Sequence, residues 1–121
     1  MQGKRLERVN QLIKEEVSML LQRELKDPRL GFVTVTEVDV TADLKHAKVY
    51  VSVLGSEERW VSSFQALESA RGFVWNWLRR HLDLRVTPEI MFRPDRSMQH
   101  AAHIQSLLAS LHDKSPGDTG S

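Results

Sequence analysis

Arg71, Trp75 and Arg79 stand four residues apart, so a helix sets them along one side. Two guanidiniums flanking an indole suit nucleic acid: the cations meet phosphates and the ring offers a face to a base. Arg80 adds a further charge, and Gly72 lies directly behind Arg71. A plainer account of the same spacing is a solvated helix edge, with Trp75 tucked beside Leu78 and Leu82 at the border of a core. On a wheel of about 100° per residue Trp75 lies near Leu82, and both accounts stay open.

Two other basic groups could serve the same chemistry. Lys4, Arg5 and Arg8 cluster at the start of the chain. Positive charge at a helix start opposes the helix dipole, which favours a role beyond solvation, such as gripping phosphates. Lys45 and Lys48 flank His46 on a strand-like stretch, where an exposed strand face explains them equally well. His100 and His103 place two imidazoles on adjacent helical turns. A metal site needs a third ligand; Asp95 and His112 are the candidates, and no His-Glu-x-x-His motif is present. A small metal-dependent hydrolase built on His100 and His103 is therefore the enzyme alternative. The adjacent carboxylates Glu15–Glu16 and Glu57–Glu58 point to different sides of a helix and make no acid–base pair. No nucleophile–base pair, Walker loop or dinucleotide fingerprint occurs.

Composition bounds these options. The chain has 121 residues, 40% hydrophobic and 27% charged, with a formal net charge of +1 and no cysteine. That suits one ordinary domain without disulfides or thiolate chemistry. The absence of cysteine and of a secretory signal leads to the expectation of a cytoplasmic protein, and no apolar run is long enough to span a membrane. A net charge near neutral argues little for nucleic acid by itself, so the distribution of arginines matters more than their sum.

The elements that must position these residues follow from periodicity. Residues 4–25 form a helix whose stripe is Leu6, Val9, Ile13, Val17, Leu20 and Leu21; Asp27-Pro28 ends it. Residues 32–40 are β-branched, but their alternation slips. Val33 and Val35 share one parity and Val38 and Val40 the other, so a bulge near Thr36–Glu37 is needed to put all four on one side. Residues 45–54 alternate cleanly and complete a hairpin. Ser56 caps the next helix. From Glu57 to about Leu82 the pattern is helical, yet the apolar stripe rotates by roughly 60° and Gly72 interrupts it at a cost of about 1 kcal/mol. Two helices with a tight Ala70–Gly72 corner reconcile these facts. Glu89–Arg93 is a short strand. A last helix, with Ser97 as its expected cap, carries the stripe Ile104, Leu107, Leu108 and Leu111. The polar residues 113–121 read as a disordered tail after a single domain over 1–112. The predicted architecture is α+β: a three-stranded mixed sheet with helices on one face.

This order and its motifs resemble the ribosome-binding factor A family over about Arg5 to Leu108. The residues that carry the likeness are Arg8-Val9, Lys26-Asp27-Pro28-Arg29-Leu30, the stretch from Asp43 to Val51, Ala70-Arg71-Gly72, Pro88 to Phe92, and Asp95-Arg96-Ser97. The resemblance implies a type II KH fold: helix, strand, strand, helix, kink, helix, strand, with an extra C-terminal helix. It also implies a non-catalytic assembly factor that binds the free small (30S) ribosomal subunit and assists late maturation and processing of 16S rRNA. No cofactor is implied, and a monomer is expected. The candidate RNA-binding residues are then Lys4, Arg5, Arg8, Lys45, Lys48, Arg71, Gly72, Trp75, Arg79 and Arg80. The family usually carries arginine three residues after the kink glycine; here that position is Trp75. A regulatory or dimerisation domain using the free sheet face is the alternative binding-protein reading, and predicts a dimer without RNA affinity.

Overall fold

The computed structural model describes residues 2–113, and the side chains of residues 3–111. The tail expected at 113–121 lies, from 114 onward, outside the described residues. Seven elements follow in order: α1 (Gln2–Arg23), β1 (Phe32–Val40), β2 (His46–Leu54), α2 (Glu57–Ser69), α3 (Arg71–His81), β3 (Glu89–Pro94) and α4 (Ser97–Asp113). The sheet order is β1-β2-β3. The first pair is antiparallel and the second parallel, and parallel pairing needs a long crossover of the kind the two helices between β2 and β3 supply.

The slip in the β1 pattern is a register shift between Val35 and Glu37. It turns Val35, Val38 and Val40 toward the helices, where all three are buried. On β2, Ala47, Val49 and Val51 are completely buried. Ile13, Val17 and Leu20 of α1, Leu67 of α2, Val74 and Leu78 of α3, and Ile90 and Phe92 of β3 close the same core. Each large side chain buried this way contributes about 1.5–3 kcal/mol against exposure. The opposite sheet face stays half-exposed at His46, Lys48, Tyr50 and Ser52.

Helix α2 begins as its sequence requires. Ser56 is extended and its side chain accepts from Arg59 N at 3.3 Å, with Glu57 and Glu58 in the first turn. The break falls at Ala70, whose φ of −91° and ψ of 0° interrupt the helical run. Ala70 is buried and Gly72 exposed, so the small residue that lets the corner pack against the core is the alanine. Phe73 is 43% exposed and leans on Trp77 at a tilted 6.4 Å.

The last helix departs from expectation in two ways. Ser97 is its first helical residue rather than its cap; the capping oxygen is Asp95 Oδ1, which accepts from Ser97 N at 2.9 Å. Its apolar stripe also faces solvent, with Leu108 59% and Leu111 66% exposed. The helix-bearing face of the sheet is already covered by α1, α2 and α3, and α4 leaves the end of β3 without packing closely on any of them. Only its root is anchored. Arg96 bonds Glu57 at 2.6 Å and lies 4.1 Å over the Trp60 ring, while Asp95 accepts from Thr36 Oγ1 at 2.6 Å.

Candidate nucleic-acid interface

Lys4, Arg5 and Arg8 occupy the first turns of α1, all exposed, with no acid beside them in the first turn. The buried stripe of α1 fixes which way they point. Asn10 Oδ1 accepts from Val40 N at 2.9 Å, pinning this end of the helix against the end of β1.

The segment that follows α3 comes to lie alongside. Pro88, completely buried, sets its exit into β3, and Trp75 Nε1 donates to Thr87 O at 3.2 Å, tying the segment to α3. A cleft of about 400 Å³ opens between this loop and α1, with Arg5, Arg8 and Leu12 on one wall and Asp83, Arg85 and Val86 on the other. Leu44, from the β1–β2 link, closes one side. Its φ is +61°, the only positive φ outside glycine among the described residues. Three arginines thus face one lining carboxylate. Among the described residues none of the three makes an ion pair within 4.0 Å or a side-chain hydrogen bond.

Arg85 was not among the residues selected from sequence. It lies in a loop without periodicity, and only the packing of that loop beside α1 shows that it shares a wall with Arg5 and Arg8. Its one signal was membership of the run of arginines after Gly72.

The corner is arranged differently. Arg71 Nη1 bonds Glu68 Oε1 at 2.7 Å, and Nη2 reaches Glu89 Oε1 at 3.5 Å, so its charge is answered by two carboxylates. At Gly72 a β-carbon would meet nothing within 4 Å, and φ lies outside the left-handed region. Neither packing nor backbone geometry asks for glycine there. One helical turn on, Trp75 is 36% exposed, and Arg79 lies over its ring at 5.6 Å, near enough for a cation–π contact. The indole is therefore both a border residue and a partly open face. Arg80 is exposed and has no bond or ion pair among the described residues.

The remaining candidates stand apart from these two groups. Lys45 is exposed in the β1–β2 link, where Asp43 Oδ1 accepts from its backbone N at 3.0 Å. The bond from Thr41 Oγ1, chiefly, then this backbone bond, hold the Asp43 carboxyl below the usual carboxylate range. Lys48 lies on the open sheet face, paired in register with Asp39 and Met91. His100 and His103 line a shallow depression with Arg96 and Gln99. Among the described residues no group of three histidines or carboxylates stands close enough to hold a metal ion, and none of the helices is long and apolar enough to cross a membrane.

Residues 5–108 match the family model for ribosome-binding factor A. A ribosome-binding factor A from Desulfitobacterium hafniense is 47% identical, covering 96% of this chain and 93% of the relative. Among structures, the solution structure of a Thermotoga maritima protein described as a putative ribosome binding factor A superposes with a TM-score of 0.68. It is 36% identical and covers 77% of this chain and 89% of that one. A homology model of Thermus thermophilus ribosome-binding factor A, fitted into a cryo-EM map of its complex with the 30S subunit, superposes with a TM-score of 0.61. It is 30% identical and covers 72% of this chain and 91% of that one. The α+β arrangement described above is the KH-like fold of these neighbours. With the match spanning the body of the domain and the first turns of α4, the chain belongs to the ribosome-binding factor A family.

Proposed function

We propose that this protein is an assembly factor that binds the free small ribosomal subunit in the cytoplasm and assists late maturation of 16S rRNA without catalysing a bond change. The observation that carries this reading is the pair of arginine groups flanking one loop: Arg5, Arg8 and Arg85 in the cleft on one side, and Arg79 over Trp75 on the other. Family membership supplies the partner, since a relative is described in a complex with the 30S subunit. Phosphate neutralisation by unpaired arginines gives affinity without sequence readout. Subunit shape then sets the site.

The mechanism requires only binding. A ligand that prefers one arrangement of an RNA shifts its population by the ratio of its affinities for the two arrangements. A factor that fits a late but incomplete conformation of the subunit therefore raises the occupancy of that conformation and leaves when the surface it fits is remodelled. The corner at Gly72, with open space above its backbone, can admit close approach of a phosphate chain. A monomer suffices for this action.

The test is binding of the purified protein to isolated small subunits across a salt series, beside an Arg79→Ala/Arg80→Ala variant and an Arg5→Ala/Arg8→Ala/Arg85→Ala variant. The expected result is salt-sensitive binding that both changes weaken, with circular dichroism unchanged. Wild-type protein that ignores small subunits, while forming a dimer in solution, would overturn the reading in favour of the sheet-face dimerisation module.

A further inference from the structure

We infer that the cleft between α1 and the 82–88 loop holds a single unstacked nucleotide of RNA, its base in the apolar floor and its phosphates on Arg5, Arg8 and Arg85. The inference deepens the proposed function and rests on it: it names the kind of RNA that this part of the surface takes.

Four observations point the same way. The first is shape. Duplex RNA presents phosphates and a shallow minor groove to a surface, and a flat or convex basic patch is enough to meet them. Here the arginines stand around a concavity of about 400 Å³, within the ~300–1,000 Å³ of sites that enclose small molecules. Second, the floor is apolar. Leu12 and Val86 present 40% and 44% of their surface at its mouth, with Leu44 and Leu84 deeper. Guanidinium planes and apolar side chains are surfaces that an extruded base packs against.

The third observation is charge order. The arginines bring positive potential to the rim, while Asp83 contributes one carboxylate that makes no hydrogen bond among the described residues. A lone carboxylate repels phosphate, but it accepts from the exocyclic amino group of a base, as acidic side chains do from cytosine. The fourth is strain. Leu44 holds a left-handed backbone, which costs a residue with a Cβ about 1–2 kcal/mol and collects at functional positions. The strained residue closes the β1–β2 turn, where its N donates to Thr41 O at 2.8 Å, and the same residue lines this cleft.

The division of labour follows. Arg5 and Arg85, on opposite walls, take successive phosphates on either side of the inserted base. Arg8, one turn along α1 from Arg5, faces the ring or the sugar. Asp83 selects bases with an amino group, so cytidine is preferred over uridine. A nucleotide can enter only if it is unpaired, so the cleft distinguishes immature or single-stranded segments from finished duplex.

Fluorescence polarisation with labelled oligoribonucleotides tests this: an all-cytidine hexamer, an all-uridine hexamer and a duplex of matched length, each at low salt. Wild-type protein should bind the cytidine hexamer at least ~5-fold tighter than the duplex and ~3-fold or more tighter than the uridine hexamer, the smaller ratio being what one partly exposed hydrogen bond supplies. Leu12→Ser with Val86→Ser removes apolar surface at the mouth of the cleft and leaves its charge unchanged. Both residues are already exposed, so the fold should hold. It should weaken hexamer binding ~10-fold and leave the duplex unchanged, in keeping with the apolar contact area lost against the base. Asp83→Asn should erase the cytidine preference. Equal affinity for duplex and hexamer, or indifference to the Leu12/Val86 change, overturns the nucleotide pocket. If small subunits are still bound in that case, RNA docking by the arginines survives as a phosphate-only interaction. If neither oligonucleotides nor small subunits bind, the assembly-factor reading falls first and takes the pocket with it.

Discussion

Arginines appear at two prominent places in this molecule, and the chain treats them in opposite ways. At the corner between α2 and α3, Arg71 is held by Glu68 at 2.7 Å and by Glu89 at 3.5 Å. At the cleft, Arg5, Arg8 and Arg85 line one concavity with a single carboxylate among them. The contrast separates charge present from charge available. A guanidinium already answered by two carboxylates meets a phosphate only by sharing or breaking those bonds, and the three groups together carry a net negative charge. An unpaired guanidinium releases counterions on meeting a phosphate and adds its full share to the salt dependence. Exposed pairs are each worth only about 0–1 kcal/mol, so the pairing dims Arg71 rather than disabling it.

The largest expected effect is therefore at the cleft. Arg5→Ala/Arg8→Ala/Arg85→Ala should weaken binding to small subunits on the order of 100-fold near physiological salt. It should also lower the slope of log affinity against log salt by roughly 2–3, about one for each phosphate no longer neutralised. Arg71→Ala should cost only a few-fold and change the slope by less than one, because its charge is partly spent at home. Sedimentation of protein with subunits over a salt series measures both. Should Arg71→Ala match the triple change, ion pairing would not decide which arginines serve RNA.

Next in size is the aromatic that joins the two regions. Trp75 anchors the loop through Thr87 and offers a partly open ring beneath Arg79. Trp75→Ala removes both roles and should weaken subunit binding by about tenfold, as losing one stacked base does. Trp75→Phe keeps a ring and loses the bond to Thr87. Near-wild-type binding by Trp75→Phe assigns the effect to stacking, whereas a loss as large as that of Trp75→Ala assigns it to the loop tether.

These two regions were not equally legible in the sequence. The corner could be read because glycine inside a helical pattern and a rotated stripe are local signals, as was the β1 bulge from its slipped valines. The cleft depends on α1 and the 82–88 loop meeting in space, and a loop arginine carries no periodicity that foretells its neighbours. The same blindness hid the partner of Arg71 at Glu89, eighteen positions away, and the bond from Thr36 to Asp95, fifty-nine positions away. The stripe of α4 is a further case. Amphipathicity shows that a helix has an apolar side; whether the domain has surface left to cover is settled by the other helices.

A smaller effect is expected at the root of α4, which shares the bulged strand but neither basic region, and so serves as a control for both. Hydrogen bonds from Thr36 Oγ1, chiefly, and from Ser97 hold the Asp95 carboxyl below its usual range. A depressed folded-state pKa contributes stability that is present above the unfolded value and lost as pH falls through the folded one. Asp95→Asn should therefore cost about 1 kcal/mol near neutral pH, and the difference from wild type should shrink below about pH 4. Urea titrations at both pH values measure it. Subunit binding near neutral pH should stay within about twofold, since no arginine of either region moves.

The smallest change bears most directly on the corner. Gly72 stands in the first turn of α3, and a β-carbon there would meet nothing. Alanine should fit and should raise stability by up to about 1 kcal/mol through helix propensity, a rise of a few degrees in Tm for a domain of this size. If the RNA backbone packs directly against this corner, the same methyl group must push it away, and Gly72→Ala will be more stable yet bind small subunits several-fold more weakly. Opposite signs in the two measurements would mean that glycine is kept for a partner's sake. A variant that is more stable and binds as well as wild type would mean that the corner only shapes the domain, leaving the cleft to carry the RNA. The physical basis is simple: a substitution that the chain itself favours can be opposed only by something outside the chain.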